Sequence, residues 1–468
     1  MNRHRTPFVK SAWALIIVLT AGIAYLQTLS DAPIEGIDET ATASVEDPAG
    51  LVMARIQAEI MLGILPDDLK EGEVAELTQA INIGTVTQRQ SFIAFMIALG
   101  ETKEAEETSR SLQESLLKDG LTLTDSQSAV QEQLDILIHG GSLPEDHEPL
   151  ETSLGWFGKL LEANPTERAA MEQKTKEKGS TLGKVAGVLF TLFALGCIGL
   201  IIAVVFAFSG KLQSGLQSQQ VQHGIYAEVF AVWLFGFFVL MQISSIVAEL
   251  VSSGSLVVGM LCSLVAFFLS LVCLCWARIR GVSWNQLKDD IGWTKGEGVL
   301  KEILFGIAGY AMTLPILGVG VLLTLLLIFI QTYFAGGSES FGGSSSGAHP
   351  IVLQIAEGGT LIRVLVLLLA AVAAPIVEET FFRGVLYRQL RSWSEQWGNA
   401  ISILMSVALV SFIFAAIHPQ GWVAIPALMG IAVGMNLMRE WRGSLLPSML
   451  VHGISNGIVT SVLFLLLS

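Results

Sequence analysis

The chain has 468 residues, of which 52% are hydrophobic and 15% charged, and its mean hydropathy is +0.61. These values exclude an ordinary soluble protein, and a net charge of −14 argues against a basic nucleic-acid-binding face. All four cysteines lie in apolar runs without CxxC spacing, so we interpret them as small packing residues. The sequence therefore predicts an all-α polytopic membrane protein that contacts the lipid bilayer and binds no nucleic acid.

Nine segments are long and apolar enough to cross a bilayer, which takes about 20 residues. They cover residues 11–29, 182–208, 226–250, 256–277, 303–330, 364–387, 400–417, 422–438 and 445–467. Residues 1–30 are predicted to hold a transmembrane helix, with a signal peptide as the alternative. Basic residues assigned to the short connections, among them Arg388, Arg391, Arg439 and Arg442, indicate a cytoplasmic N-terminus. We expect a multi-pass protein of the bacterial inner (plasma) membrane.

Residues 31–180 form the acidic part of the chain, with 29 Asp and Glu against 11 Lys and Arg. Apolar residues recur there at helical spacing and glycines separate the runs, which predicts an inserted helical extracytoplasmic domain. Residues 97–107 resemble the helix-turn-helix junction of a tetratricopeptide repeat. We interpret the domain as a helical hairpin without catalytic role that offers a surface to a protein partner. Residues 181–360 then comprise spans two to five and a Gly/Ser-rich loop at 336–347.

Residues 361–468 carry polar side chains inside apolar spans. An ionised residue at mid-membrane costs roughly 3 kcal/mol or more, so these residues are functional candidates. They form three clusters, which are Glu378-Glu379 with Arg383, Phe414 with His418, and His452 with Asn456.

Each cluster also has a structural interpretation. Glu379 and Arg383 are four residues apart and can form an ion pair across one helical turn. His418 precedes Pro419 and can cap a helix end. His452 and Asn456 share a helical face and can hydrogen-bond to a neighbouring helix. Three such clusters on separate spans are nevertheless better explained if they converge on one polar cavity.

A carboxylate, two imidazoles and an amide supply a general base, a group that orients water and donors for an oxyanion. Because no serine or cysteine nucleophile with a matching base is evident, direct attack by water is the simpler scheme. If span six ended at Glu378, that residue and His418 would lie at opposite membrane surfaces. We therefore expect the sixth helix to continue through Leu386, which places Glu378 near mid-depth.

The three clusters resemble the motifs E-E-x-x-x-R, F-x-x-x-H and H-x-x-x-N or D of one family, in the same order. This is the CPBP family of intramembrane proteases, which comprises CAAX prenyl endopeptidases and bacteriocin-processing proteins and is also called the abortive-infection family. The resemblance covers residues 361–468 and implies that they form a catalytic transmembrane core. It does not cover the acidic domain.

The resemblance implies that Glu378 and His418 activate water, while His452 and Asn456 stabilise the oxyanion. Glu379, Arg383 and Phe414 would support the site. If zinc is used, Glu378, His418 and His452 are the ligands implied, but the sequence favours no cofactor because it contains no His-x-x-x-His pair.

The expected substrate is a membrane-embedded or lipidated peptide or protein. Two alternatives remain open. Buried Glu and His residues also serve proton-coupled transporters, although we find no internal repeat of the kind such proteins show. A non-catalytic membrane scaffold or immunity factor is the other.

Overall fold

The structure is a computed structural model that describes residues 8–30, 48–64, 82, 84–144, 146–216, 224–334, 355–356 and 358–467. The predicted Gly/Ser-rich loop at 336–347 lies outside the described residues. Within those ranges the regular structure is helical, without β-strands, and nine helices are long and apolar enough to cross a membrane. This confirms the predicted all-α polytopic fold. Spans 1 to 9 are Val9–Gln27, Pro165–Phe208, Ile225–Val251, Leu256–Ile279, Val299–Gln331, Thr360–Trp397, Asn399–Ala416, Trp422–Arg442 and Leu446–Leu466.

The chain divides into two compact units. The membrane unit comprises residues 1–30, 187–328 and 357–464. The acidic unit comprises residues 31–186, 329–356 and 465–468.

The acidic unit is built from short helices with strong start and stop signals. Thr85 and Thr124 each form a capping box with the glutamine three residues later, which satisfies the first free backbone N–H groups. Gly100 ends one helix with a left-handed φ of 84°, and the helix-turn-helix predicted at 97–107 is present. Its helices are Pro48–Ile64, Val86–Leu99, Thr102–Asp119, Asp125–Ile138, Leu150–Leu154 and Trp156–Glu162. The helix that carries span 2 begins at Pro165, within the predicted acidic domain.

The acidic unit has its own apolar core and one buried ion pair. The rings of Phe95 and Phe157 meet edge to face with centroids 6.0 Å apart. The Lys178 ammonium lies 2.8 Å from Glu59 and also donates a hydrogen bond to the carbonyl of Leu466 at 3.0 Å. Because both charged side chains are buried, loss of either would leave the other charge unpaired.

Aromatic residues hold span 6 against its neighbours in the membrane unit. The Trp233 ring of span 3 stacks on Phe381 with centroids 4.5 Å apart. Phe382, the next residue, meets Phe414 of span 7 edge to face at 5.1 Å. Such pairs add about 1 kcal/mol each beyond the burial of their area. These contacts fix the depth and rotation of the part of span 6 that follows Glu379.

Span 6 is one continuous helical element with two π-helical segments, Leu369–Ala373 and Thr380–Leu386. They flank the α-helical turn Ala374–Glu379, which has Pro375 in its first turn. Proline cannot donate the backbone hydrogen bond of a regular helix, so a disturbed ladder at this point is expected. π-Helical turns are frequent at functional sites. The expectation that the sixth helix continues through Leu386 is confirmed, and the helical element extends to Trp397.

Arginines that the sequence assigned to loops lie inside the helices of spans 6 and 8, namely Arg388, Arg391, Arg439 and Arg442. Arg388, Arg391 and Arg439 are also buried, so they are not exposed loop residues, and the orientation of the N-terminus stays a prediction. Arg391 makes two hydrogen bonds to Glu440, at 2.9 and 3.0 Å, and Arg388 lies 3.6 Å from Asp290. A run of charges commonly ends a span, but here Asp290 and Glu440 hold Arg388 and Arg391 within the helical bundle.

Candidate active site

Glu378 lies at the centre of the candidate site, between the two π-helical segments of span 6. Its Oε2 is 3.9 Å from Nε2 of His418 and 3.9 Å from Nε2 of His452. That oxygen is buried and has no hydrogen-bond partner among the described residues. A separation of 3.9 Å is too long for a direct hydrogen bond, but one water molecule can bridge it. The structure therefore brings together three predicted site residues from spans 6 and 9 and the end of span 7.

His418 stands just beyond the end of span 7. The helix ends at Ala416, ahead of Pro419, and Nδ1 of His418 lies 2.5 Å from the carbonyl oxygen of Phe414. A carbonyl oxygen only accepts, so Nδ1 carries the proton of this hydrogen bond. In a neutral ring Nε2 is then an acceptor. The Phe414 ring packs on the imidazole at a centroid distance of 4.2 Å, so Phe414 positions His418 through both its backbone and its ring.

His452 is oriented by a carboxylate. Its Nδ1 lies 2.9 Å from Oε1 of Glu379, and the same oxygen accepts a hydrogen bond from Nη1 of Arg383 at 2.8 Å. Glu379 and Arg383 thus form the ion pair that their four-residue spacing predicts, and both side chains are fully buried. The guanidinium of Arg383 also lies 4.5 Å from the centroid of the Phe414 ring. Glu379 thus contacts His452 directly, and Arg383 connects Glu379 to Phe414, the residue that positions His418.

Asn456 shares a helical face with His452, yet its amide has a structural partner. Nδ2 donates a hydrogen bond to the carbonyl of Ala370, in the first π-helical segment, at 2.8 Å. Span 9 approaches this segment closely, because a Cβ on Gly453 would lie 2.8 Å from the carbonyl oxygen of Ala371. Among the described residues no hydrogen bond joins Asn456 to the three residues at the centre of the site.

The donor set suits zinc by type but not by spacing. Two imidazoles and one carboxylate would leave one open position on a four-coordinate zinc. Nδ1 of each imidazole contacts a carbonyl or carboxylate oxygen, as the nitrogen that does not bind the metal usually does in metal-bound histidines. Neighbouring ligand atoms of tetrahedral zinc lie about 3.3 Å apart. The observed 3.9 Å is wider, and the part of the chain that the structure describes holds no group of three His, Cys, Asp or Glu arranged for a metal ion. This geometry fits a bridging water better than zinc.

Two residues near the site were not identified from the sequence. The Trp293 indole donates a hydrogen bond to the hydroxyl of Thr380, next to Glu379, at 2.9 Å. Arg439 donates one to the carbonyl of Arg383 at 3.2 Å. No sequence motif marks either residue, and Arg439 directly follows the predicted span 422–438 in a short charged stretch.

No curated protein and no solved structure matches the chain. A family model does match, described as Type II CAAX prenyl endopeptidase Rce1-like, over residues 360–458. The match includes all three motifs and begins where span 6 begins. It leaves the acidic domain outside. Residues 360–458 are thus an Rce1-like domain of the CPBP family, as the motifs indicated.

Proposed function

We propose that the protein is an intramembrane endopeptidase that hydrolyses a peptide bond with a water molecule activated by Glu378 and His418. One observation carries this proposal. The buried, unpaired Oε2 of Glu378 lies at the same distance, 3.9 Å, from Nε2 of two histidines on other elements. A general base must reach the proton it removes either directly or through one water molecule. A separation of 3.9 Å leaves room for one water between Glu378 and each histidine.

The two histidines are held differently, which favours different roles. Nδ1 of His418 faces a carbonyl, so Nε2 is suited to accept a hydrogen bond from water. In our scheme that bond orients the water, and Glu378 takes its proton as the oxygen attacks the scissile carbonyl carbon. The proton then passes from Glu378 to the nitrogen of the leaving amine, and the C–N bond breaks.

His452 is suited to stabilise the oxyanion. Its Nδ1 faces the carboxylate of Glu379, which fixes the orientation of the ring, and in our scheme Nε2 donates a hydrogen bond to the oxyanion. Asn456 is assigned the second donor. An amide nitrogen carries two hydrogens, of which the carbonyl of Ala370 accepts one. Glu379, Arg383 and Phe414 are assigned supporting roles through the contacts described above.

The position of the site favours a substrate from the membrane. Glu378, His418 and His452 have side-chain exposures of only 16%, 19% and 5%, and all lie in or next to spans. A membrane-embedded or lipidated peptide can bring its carbonyl to such a site. Our proposal includes a bacterial inner-membrane location with a cytoplasmic N-terminus, and a protein partner for the acidic domain.

The proposal can be tested by comparing peptides from membranes that contain wild-type protein or Glu378→Gln. We expect new peptide termini with the wild type only. Glu395→Gln is the matched control because Glu395 is an exposed glutamate on the same span. Identical termini in wild type and Glu378→Gln membranes would contradict the proposal.

A further inference from the structure

Arg439, in span 8, is a buried cation held by backbone carbonyls. Its side chain is fully buried, and its three nitrogens donate hydrogen bonds to the carbonyls of Arg383 at 3.2 Å, Asp290 at 2.8 Å and Gly443. Within the described residues no carboxylate lies at ion-pair distance from it. A buried charge without a counter-ion is costly, and well-packed apolar residues often replace buried ions without loss of stability. A contribution to stability alone therefore does not account for an arginine at this buried position.

The three carbonyls belong to elements that lead to the site. Arg383 is in the second π-helical segment, one helical turn beyond Glu379. Gly443 ends span 8 and precedes span 9, which carries His452. Asp290 is near the end of the helix Trp284–Ile291. The guanidinium of Arg439 thus connects span 6, which carries Glu378 and Glu379, to the start of span 9, which carries His452.

The loop that follows this helix reinforces the same connection. The amide of Leu445, at the start of span 9, donates a hydrogen bond to the carbonyl of Gly292 at 2.9 Å. The neighbouring Trp293 binds the hydroxyl of Thr380 in the π-helical segment. A Cβ on Gly292 would lie 2.5 Å from Nη1 of Arg439, so the guanidinium packs directly on this glycine.

We propose that Arg439 is a positioning residue that sets the register between spans 6 and 9. The hydrogen bond between Glu379 and His452 depends on that register, because its donor and acceptor lie on different spans. The inference rests on the proposed function for its effect on catalysis, whereas the effect on register stands independently. A misplacement of about 1 Å can reduce a rate roughly 100-fold.

The test uses purified full-length protein and five variants, of which four form two matched pairs and the fifth is Arg439→Lys. Arg439→Met removes the guanidinium. Its control is Arg391→Met combined with Glu440→Gln, because Arg391 is a buried arginine bound to Glu440, Asn399 and Ser402 instead, and the second change leaves no unpaired carboxylate. Gly292→Ala crowds Arg439 without removing it. Gly281→Ala is its control, since Gly281 has a similar positive φ of 92° but nothing within 4 Å of an added Cβ.

Two readouts are measured for each variant. The first is hydrogen–deuterium exchange over residues 374–386 and 446–456, and the second is kcat and KM on a cleavable reporter peptide. We expect Arg439→Met and Gly292→Ala to raise exchange in both segments and to lower kcat about 10-fold to 100-fold with KM within about twofold. The control variants should leave exchange in both segments and kcat per folded protein close to wild type. Arg439→Lys, which retains the charge and fewer donors, should recover part of kcat.

Unchanged exchange in both segments of Arg439→Met and Gly292→Ala would overturn the inference. So would a fall in kcat no larger than that of the matched controls. If Arg439→Met does not fold, Gly292→Ala and Arg439→Lys decide the question by the same two readouts. A wild-type protein without turnover would contradict the proposed function alone, because the exchange comparison would still support or overturn the role of Arg439.

Discussion

Glu379 and His452 lie 73 positions apart in the chain, and their side chains are joined by a 2.9 Å hydrogen bond between Oε1 and Nδ1. Arg383 binds the same oxygen from the other side. Glu379 therefore connects the first and third motifs through Oε1, whereas Oε2 of its neighbour Glu378 faces Nε2 of both His418 and His452 at 3.9 Å. Two adjacent carboxylates thus have different environments, which is the arrangement that separates a supporting role from a catalytic one.

We expect Glu378→Gln to lower kcat by a factor of about 100 to 10,000, the usual range for loss of a general base. The amide keeps the shape of the side chain but cannot accept the proton from water. Tm in detergent should stay close to wild type because Glu378 Oε2 makes no hydrogen bond within the described residues. A variant that retains wild-type turnover would remove Glu378 from the mechanism.

Arg383→Met is expected to destabilise the protein by about 3 to 5 kcal/mol, since it leaves the fully buried carboxylate of Glu379 without its cation. The folded yield and Tm should fall together with activity. The double variant Arg383→Met with Glu379→Gln should recover part of the stability because it removes the uncompensated charge. Normal yield and Tm with abolished turnover would instead indicate that Arg383 binds substrate.

Asn456→Ala should reduce kcat about 100-fold to 1000-fold, the typical effect of losing one oxyanion donor, with KM nearly unchanged. The lost hydrogen bond to Ala370 should cost only about 1 kcal/mol, so the protein should still fold. Ser455→Ala is the control, because this buried neighbour makes no hydrogen bond through its side chain within the described residues. Loss of substrate binding in Asn456→Ala would contradict the oxyanion role.

Treatment with a chelator should leave turnover within about twofold of the untreated enzyme, because the spacing at Glu378 exceeds that of tetrahedral zinc ligands. Metal analysis of the purified protein should be run in parallel. Inactivation by chelator with rescue by zinc would identify Glu378, His418 and His452 as metal ligands, and His452 would no longer be an oxyanion donor.

His147 of the acidic unit provides a pH-dependent prediction outside the membrane. Its Nε2 lies 3.0 Å from Oε1 of Glu162, and this hydrogen bond raises the pKa of His147 above its ordinary value. The pair should stabilise the fold fully below the unfolded pKa of about 6.5, and this contribution should be lost as pH rises through the raised pKa. An NMR titration should show a lower pKa in Glu162→Gln and no change in Glu151→Gln. Equal values in wild type and Glu162→Gln would refute the pairing in solution.

The sequence by itself determined the fold class, the number of spans and the three motif clusters. Apolar runs of sufficient length must be helical in a bilayer, because every backbone polar group there needs an internal partner. The i, i+4 spacing of Glu379 and Arg383 likewise predicted their ion pair, because residues four apart face each other on a helix.

Only the tertiary structure decided how the motifs meet and which groups hold them. The hydrogen-bond partner of Asn456 is the backbone carbonyl of Ala370, which a pattern of side chains in the sequence cannot predict. Arg388, Arg391 and Arg439 appeared to be loop charges, since the sequence cannot show the carboxylates and carbonyls that other elements bring to them. The positions of Glu378, His418 and His452 depend on two π-helical segments and on aromatic packing between spans, and this packing arises from contacts between residues distant in the chain.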